Sequence, residues 1–198
     1  MNESVIANFI PQDIANLTWA FALLDLSASY LPLFKALNTR ISNLKEKGSL
    51  DDRVLHSLYC LNILYKKSLH PELMYFAESL QSEFKEMLLR RSQYMPSCSQ
   101  DHKEIKSILK DLKIEFEAEV FIHGYFIDIA LPDKKIAIEI DGPSHFLNDG
   151  TYNGSSLFKE EVLKNDGWTI RRIPYFVWQE QKAKGTHRIY LKNLYLAE

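Results

Sequence analysis

The sequence predicts a two-part chain, with an all-α N-terminal segment followed by an α/β domain. Apolar residues recur at helical spacing through the first half of the chain. In the second half apolar and polar residues alternate, most clearly at residues 135–141, as they do in a β-strand with one apolar face. Between the halves, residues 91–101 contain serines and a proline without periodicity, which is typical of a linker. We therefore predict a helical-repeat segment at residues 1–90, this linker, and an α/β domain at residues 102–198.

Four apolar stripes predict helices in the first segment. The stripes are Ile14, Leu17, Phe21 and Leu24; Phe34, Leu37, Ile41 and Leu44; Val54, Leu58, Leu61 and Tyr65; and Leu73, Phe76, Leu80 and Phe84. Pro11 suits the first turn of the first helix, and Gly48 suits the end of the second. Residues 14–24 and 55–65 are loosely similar at an offset of roughly 40 residues, a spacing typical of paired-helix repeats.

The second segment is predicted to contain its elements in the order α-β-β-β-α-β-α. The periodicity places helices at residues 102–113, 156–165 and 187–197, and strands at residues 117–122, 125–131, 135–141 and 168–174. An αβββαβ core of this kind is a sheet flanked by helices.

Three carboxylates are predicted to share one patch of this sheet. Glu139 and Asp141 lie on one strand face about 6–7 Å apart, where their repulsion is about 2–3 kcal/mol unless a cation relieves it. Residues 132–134 predict a tight turn before this strand. A two-residue loop sets Asp128 across from Glu139, whereas a three-residue loop sets it across from Ile138 and mixes polar with apolar side chains. Because segregation of polarity favours the even loop, we expect Asp128 to join the other two acids.

The composition is that of a folded protein of near-neutral charge. The 198 residues are 46% hydrophobic and carry a formal net charge of −2, so the chain as a whole is not a strongly basic nucleic-acid binder. Its two cysteines suggest neither a disulfide framework nor a zinc site. The N-terminus shows no targeting pattern, and residues 14–34, the most apolar stretch, are too polar to span a bilayer. We therefore expect a cytoplasmic protein by default, with no membrane association.

Basic residues concentrate near the C-terminus. Residues 164–192 contain seven lysines and arginines against two acidic residues, which suits either contact with phosphates or an ordinary solvated surface. The aromatic residues Trp168, Tyr175, Phe176 and Trp178 either stack on bases or pack in the core. The candidate nucleic-acid-binding residues are Arg171, Arg172, Tyr175, Lys182, Lys184 and Arg188.

Several motifs together carry a family resemblance. They are "FIDIAL", "IAIEIDGPSHF", the spacing of Gly154, Lys159 and Leu163, "GW" at Gly167 and Trp168, and "IPYFVW" at residues 173–178. With these motifs, residues 114–179 resemble the RAP domain, an RNA-associated member of the restriction-endonuclease-like or PD-(D/E)xK fold. The "EIDGPSH" element is also similar to very-short-patch-repair-type endonucleases. In the first segment, "FIPQDIANLTWAFALL" resembles octotricopeptide-type helical repeats, which often precede RAP domains.

The resemblance implies a restriction-endonuclease-like core and a role in RNA binding and in RNA processing or maturation, commonly in an organelle. It does not by itself imply catalysis. The nuclease superfamily places a lysine two residues after the second acid, and Asp141 occupies that position here. Lys159 on the following helix fits the family's lysine position, whereas Glu161 stands where the family has an arginine.

The candidate catalytic residues are Asp128, Glu139, Asp141, His145 and Lys159. The three acids are candidate ligands of Mg²⁺, which binds carboxylates, waters and substrate phosphates and lowers the pKa of a bound water. The alternative is that they pair with nearby cations such as Lys135, Lys159 and His145 in a folded remnant of a nuclease. His145 follows the third strand and either acts as a general base or phosphate ligand, or bonds the Gly-Pro turn before it.

Three functional hypotheses follow. The first is an RNA-binding RAP-like protein in RNA processing or maturation. The second is an active Mg²⁺-dependent nuclease, with Lys159 as the displaced lysine. The third is an adaptor that binds a protein partner through its helical half. An organelle is the location that the family resemblance implies.

Overall fold

A computed structural model of the chain describes residues 3–23, 30–65, 78–94 and 96–196. The chain divides into two compact units, Met1–Tyr94 and Met95–Glu198. The first unit is helical, and the second contains a four-stranded sheet with helices. The predicted layout of an all-α segment followed by an α/β segment is confirmed.

The helices of the first unit pack around one apolar core. They are α1 (Glu3–Ile6), α2 (Pro11–Leu23), α3 (Leu31–Glu46), α4 (Asp52–Tyr65) and α5 (Gln81–Ser92). The core includes the predicted stripe residues Ile14, Leu37, Ile41, Leu44, Val54, Leu58, Leu61, Leu80 and Phe84. Pro11 begins α2 as predicted, and Gly48 follows α3 with a left-handed φ of 62°. Leu24, Leu73 and Phe76 of the predicted stripes lie outside the described residues.

The second unit follows the predicted order of elements with one addition. Its elements are α6 (Gln100–Asp111), β1 (Glu117–Ile122), β2 (Tyr125–Leu131), β3 (Ile136–Asp141), α7 (Gly154–Asn165), β4 (Thr169–Pro174), α8 (Tyr175–Ala183) and α9 (His187–Leu196). Ser99 caps α6 by accepting a hydrogen bond from the His102 amide, and Asn153 caps α7 in the same way. The sequence pattern did not predict α8.

The sheet has the strand order β1-β2-β3-β4, with the first three strands antiparallel and β4 parallel to β3. Ile129 pairs with Ile138, and Leu131 pairs with Ile136, so the predicted even register of the hairpin is confirmed. The connection is longer than the predicted two-residue loop. It is a 3₁₀ turn at Pro132–Lys134 followed by Lys135, which has a left-handed φ of 49°. Asp128 and Glu139 therefore lie across from each other, one step beyond the last ladder pair.

Helices cover both faces of the sheet. On one face Ile129, Ile138 and Ile173 pack with apolar residues of α6, α8 and α9. On the other face Ala130 and Ala137 pack with residues that include Leu163 of α7. Because β3 is covered on both sides, all of its residues are buried, including the two acids that the alternation predicted on a polar face.

The alternation along β2 is interrupted at Asp128. Ile127 belongs to the core beneath α7, whereas Ile129 belongs to the core on the opposite face. Glu119, which the register of β1 sets across from Asp128, has a left-handed φ of 53°. At this irregularity the Asp128 carboxylate contacts His102 of α6.

Candidate polar centre and its exposed rim

Glu139 lies inside the protein and is paired with a lysine. Glu139 is only 2% exposed, and Lys159 Nζ of α7 lies 2.5 Å from Glu139 Oε2. Lys159 also donates to the Phe126 carbonyl at 2.7 Å. Burial raises the pKa of Glu139 to about 7, against the opposing effect of the Lys159 charge. Among the described residues, Glu139 Oε1 has no hydrogen-bond partner.

Asp128 is held by a histidine and by the backbone of β3. The Ile140 amide donates to Asp128 Oδ2 at 2.7 Å, and His102 Nε2 lies 3.4 Å from Asp128 Oδ1. Burial opposes the charge of Asp128, but the hydrogen bonds from His102 and Ile140 and the nearby Lys159 hold its pKa below the usual value. The hydrogen bond to Asp128 in turn raises the pKa of His102. The sequence gives no signal for His102, because its partner is distant along the chain.

Asp141 is neutralised by an arginine of the neighbouring strand. Asp141 is 1% exposed, and Arg172 Nη1 lies 2.9 and 3.0 Å from its two carboxylate oxygens. Arg172 also donates to Glu160 at 2.8 Å and to the Ser156 carbonyl at 2.9 Å. Its guanidinium lies 4.5 Å from the ring centroid of Tyr152, whose hydroxyl donates to Asp141. The guanidinium of Arg172, a predicted nucleic-acid-binding residue, is therefore occupied by contacts inside the unit.

His145 lies at the rim of this centre. Its Nδ1 is 3.2 Å from Asp141 Oδ1 and 3.0 Å from Ser156 Oγ, and its side chain is 38% exposed. A serine hydrolase needs the aspartate and the serine on opposite ring nitrogens, and here both contact the same nitrogen. The trio is therefore not a hydrolytic triad. Within the part of the chain that the structure describes, His145 Nε2 has no protein partner.

The arrangement does not fit the Mg²⁺ that the resemblance implies. Among the described residues, no group of three or more histidines, cysteines or acids is arranged to hold a metal ion. Asp128, Glu139 and Asp141, the predicted ligands, instead take their positive partners from three different elements of the chain. A carboxylate that already has a cation gains less from a metal and must lose its partner to bind one.

The basic residues that concentrate near the C-terminus fall into an internal set and a set nearer the surface. Arg171 donates from Nη1 to the carbonyls of Leu194 and Tyr195, and so binds the C-terminal end of α9. Three cations of α8 and α9 are paired with acids: the half-buried Lys182 with Glu104, and the exposed Lys184 and Arg188 with Glu180 and Asp111. Exposed pairs of this kind contribute about 0–1 kcal/mol and exchange readily for another anion.

Two of the four candidate stacking residues are exposed and two are buried. Trp168 and Trp178 pack in the cores of the sheet, whereas Tyr175 is 39% and Phe176 47% exposed at the start of α8. Two further rings join them, Phe146 from the turn after β3 and Tyr152 from the loop before α7. We call Phe146, Tyr152, Tyr175 and Phe176 the ring cluster. Phe146 and Tyr152 were not predicted, because only the bridge between them brings the loop ends together.

Comparisons with known proteins found a family match and a relative. Residues 138–194 match the family model of the RAP domain. The chain is also 29% identical over 196 residues to a RAP domain-containing protein, chloroplastic, from Oryza sativa subsp. japonica. That match covers 94% of this chain and 30% of the rice protein, so the chain spans less than a third of the relative's length. A RAP domain is therefore detected at residues 138–194 of the second unit, and the predicted resemblance to the RAP domain is confirmed.

No helix among the described residues combines the length and the apolar character that crossing a membrane requires.

Proposed function

We propose that this protein binds RNA through its second unit and acts in RNA processing or maturation without cleaving the RNA itself. The observation that carries the proposal is the position of the RAP domain match. It extends from within β3 to α9 and includes the exposed cations of α8 and α9, His145 and the ring cluster. RNA association is the property that the RAP domain suggests.

The exposed cations of α8 and α9 supply the electrostatic part of the proposed contact. Lys184 and Arg188 pair with exposed acids, so a phosphate can replace those acids at little cost. Lys182 pairs with the half-buried Glu104 and adds a third cation to the same two helices. Arg171 and Arg172 do not take part, since their guanidinium groups bind backbone carbonyls and buried carboxylates.

The absence of a metal-type arrangement among the described acids supports binding rather than hydrolysis. A PD-(D/E)xK nuclease needs its acids free to hold the ion that polarises the phosphate. Lys159 and Arg172 instead offset the charges of Glu139 and Asp141 from inside the fold.

Salt-dependent binding of a short single-stranded RNA tests the proposal. In single strands each neutralised phosphate contributes a slope of about −0.7 to the plot of log K against log salt. The triple variant K182E, K184E and R188E should reduce the slope by about 2 and weaken binding at low salt.

The matched control reverses three exposed lysines of the first unit, K35E, K47E and K85E. It changes the formal net charge by the same amount and should retain the slope. Equal losses in both triples would show that binding does not depend on α8 and α9. No detectable RNA binding at low salt would contradict the proposal and favour a protein partner of the helical half.

We propose an organelle as the site of action, since the rice relative is described as chloroplastic. Microscopy of the tagged full-length protein in its own cells tests this, and a diffuse cytosolic signal would contradict it.

A further inference from the structure

We propose that the ring cluster, together with His145, is a stacking platform for unpaired RNA bases, so that the ligand of the second unit is single-stranded RNA. This inference rests on the proposed function, and it names the form of RNA that the same surface binds. The sequence suggested stacking by single residues. The structure shows an assembled surface drawn from the turn after β3, the loop before α7 and the start of α8.

The platform is apolar and open to solvent. Tyr175 and Phe176 are exposed, and Leu147 and Leu157, from the neighbouring loop and α7, are exposed as well. Scattered apolar side chains are normal at a surface, but contiguous exposed rings indicate a contact surface. Cations lie farther along α8 and on α9, so the same unit supplies both elements of single-strand binding, rings for bases and cations for phosphates.

The platform is held in place before any ligand arrives. Phe146 packs on Tyr152 with ring centroids 4.6 Å apart, and Tyr152 is fixed by its contact with Arg172 and its hydrogen bond to Asp141. Phe176 then contacts Phe146 at 5.4 Å. A surface that is ordered in advance loses less conformational entropy on binding. The buried ion pair of Asp141 and Arg172 thus acts as the support of the platform.

The exposed rings keep their capacity for parallel stacking. Tyr175 and Phe176 meet edge to face at 86°, and each meets Phe146 at 62°. Within the described part of the chain, Tyr175 and Phe176 make no parallel ring stack. A flat base can supply that contact, whichever base it is, because every base has a π face.

The charges at the rim suit a nucleotide. His145 Nε2 faces no protein partner among the described residues, and the acid that contacts His145, Asp141, is buried and neutralised by Arg172. Helix α8 begins at Tyr175 without an acidic residue in its first turn, so the positive end of its dipole is not offset there. Asp149 in the neighbouring loop is turned to Thr151. A base on the rings can therefore place its phosphate near the start of α8, where no acidic residue offsets the helix dipole.

Base-paired RNA does not suit this surface. In an A-form duplex the bases stack on one another and the deep groove excludes side chains, so rings reach bases only where a strand is unpaired. The structure therefore favours single strands, loops or ends as ligands.

The test measures binding of the full chain to three ligands: a short single strand, a duplex of the same length, and an abasic strand that keeps the sugars and phosphates. The unmodified protein should bind the single strand at least about 10-fold more tightly than the other two. Phe176→Ala should weaken binding to the single strand by about 10-fold and leave binding to the abasic strand unchanged.

Three further variants separate stacking from loss of structure. Tyr175→Ala removes a ring and should bind the single strand more weakly than Tyr175→Phe, which keeps the ring. Ile189→Ala removes an exposed apolar side chain on α9 that lies outside the ring cluster and should change nothing. Each variant is compared at equal fraction folded by circular dichroism.

The outcomes distinguish the two proposals. Equal, salt-dependent affinity for all three ligands would overturn the platform and leave RNA binding intact. Unchanged single-strand binding in Phe176→Ala would also overturn it. No binding to any ligand at low salt would overturn the proposed function, and the platform with it.

Discussion

Lys159 of α7 and Glu139 of β3 form a buried ion pair at 2.5 Å, with both side chains largely withdrawn from solvent. The pair joins the helix to the strand across one face of the sheet. It also supplies, from within the chain, positive charge beside the buried Glu139 carboxylate. We therefore expect this pair to contribute to the stability of the protein, which unfolding of variants measures directly.

Removing the cation of this pair should destabilise the protein. Lys159→Met leaves the buried Glu139 without its cation, so we expect a loss of about 3–5 kcal/mol in the free energy of unfolding when it is measured above the Glu139 pKa of about 7. Below that pKa Glu139 binds a proton and the loss is smaller. Urea denaturation of the purified protein measures it. The double variant Lys159→Met with Glu139→Leu should recover most of the loss, since both charges are then absent. A single variant as stable as the unmodified protein would contradict the pairing.

Arg172 should tolerate even a conservative change poorly. Arg172→Lys keeps the charge but cannot contact Asp141, Glu160 and the Ser156 carbonyl together, so we expect a loss of about 2 kcal/mol in the free energy of unfolding. The control is Arg188→Lys, whose arginine has an exposed partner in Asp111, and it should change stability by less than about 0.5 kcal/mol. Equal effects of the two substitutions would contradict a structural role for Arg172.

Stability should fall as the pH rises through neutrality. The pKa of Glu139 rises from 4.5 to about 7 on folding, so the folded state holds an extra proton in this range and loses that advantage as the pH increases. The pKa of His102 is also raised, so its contribution is complete below 6.5 and is lost as the pH climbs through the folded value.

Unfolding measured between about pH 5 and pH 8 tests this pH dependence. Glu139→Gln should flatten the lower part of the profile, and His102→Gln should flatten the upper part. A profile that rises with pH in the unmodified protein would contradict both assignments.

Divalent metal should neither stabilise the protein nor be needed for RNA binding. A metal site filled at 100-fold its Kd would add about 2.7 kcal/mol and raise the Tm visibly. Because the acids already have partners from the chain, we expect the same Tm in Mg²⁺ and in EDTA, and RNA binding that persists in EDTA. A rise in Tm with Mg²⁺, together with cleavage of labelled RNA, would instead support the nuclease hypothesis.

The parts of the fold that depend on local pattern were predictable from the sequence. The even register of β2 and β3 follows from the separation of Ile129 and Ile138 from the polar positions, because a slip of one residue would reverse every side chain. The same alternation gave a wrong prediction of which side chains are exposed. Glu139 was expected on a polar face, but the crossover through α7 covers that face and buries it.

The partners of the polar side chains were not predictable in the same way. Arg172 pairs with Asp141 because β4 lies parallel to β3, and that neighbour relation joins residues 31 positions apart. Helix α8 was missed because Tyr175 and Phe176 were considered only as single rings beside a strand. His102 was not expected to contact Asp128, since nothing in the sequence sets the side of the sheet on which α6 packs.

Strand β4 ends at Pro174 and α8 begins at the next residue, with no loop between them. Ile173, fully enclosed in the sheet, is thus only two and three positions from the rings that we assign to bases. Substitutions that only destabilise this junction will therefore reduce RNA binding in the same way as substitutions of a residue that contacts RNA. Surveys of natural variation in this chain will need to weigh every apparent recognition defect against the amount of intact protein.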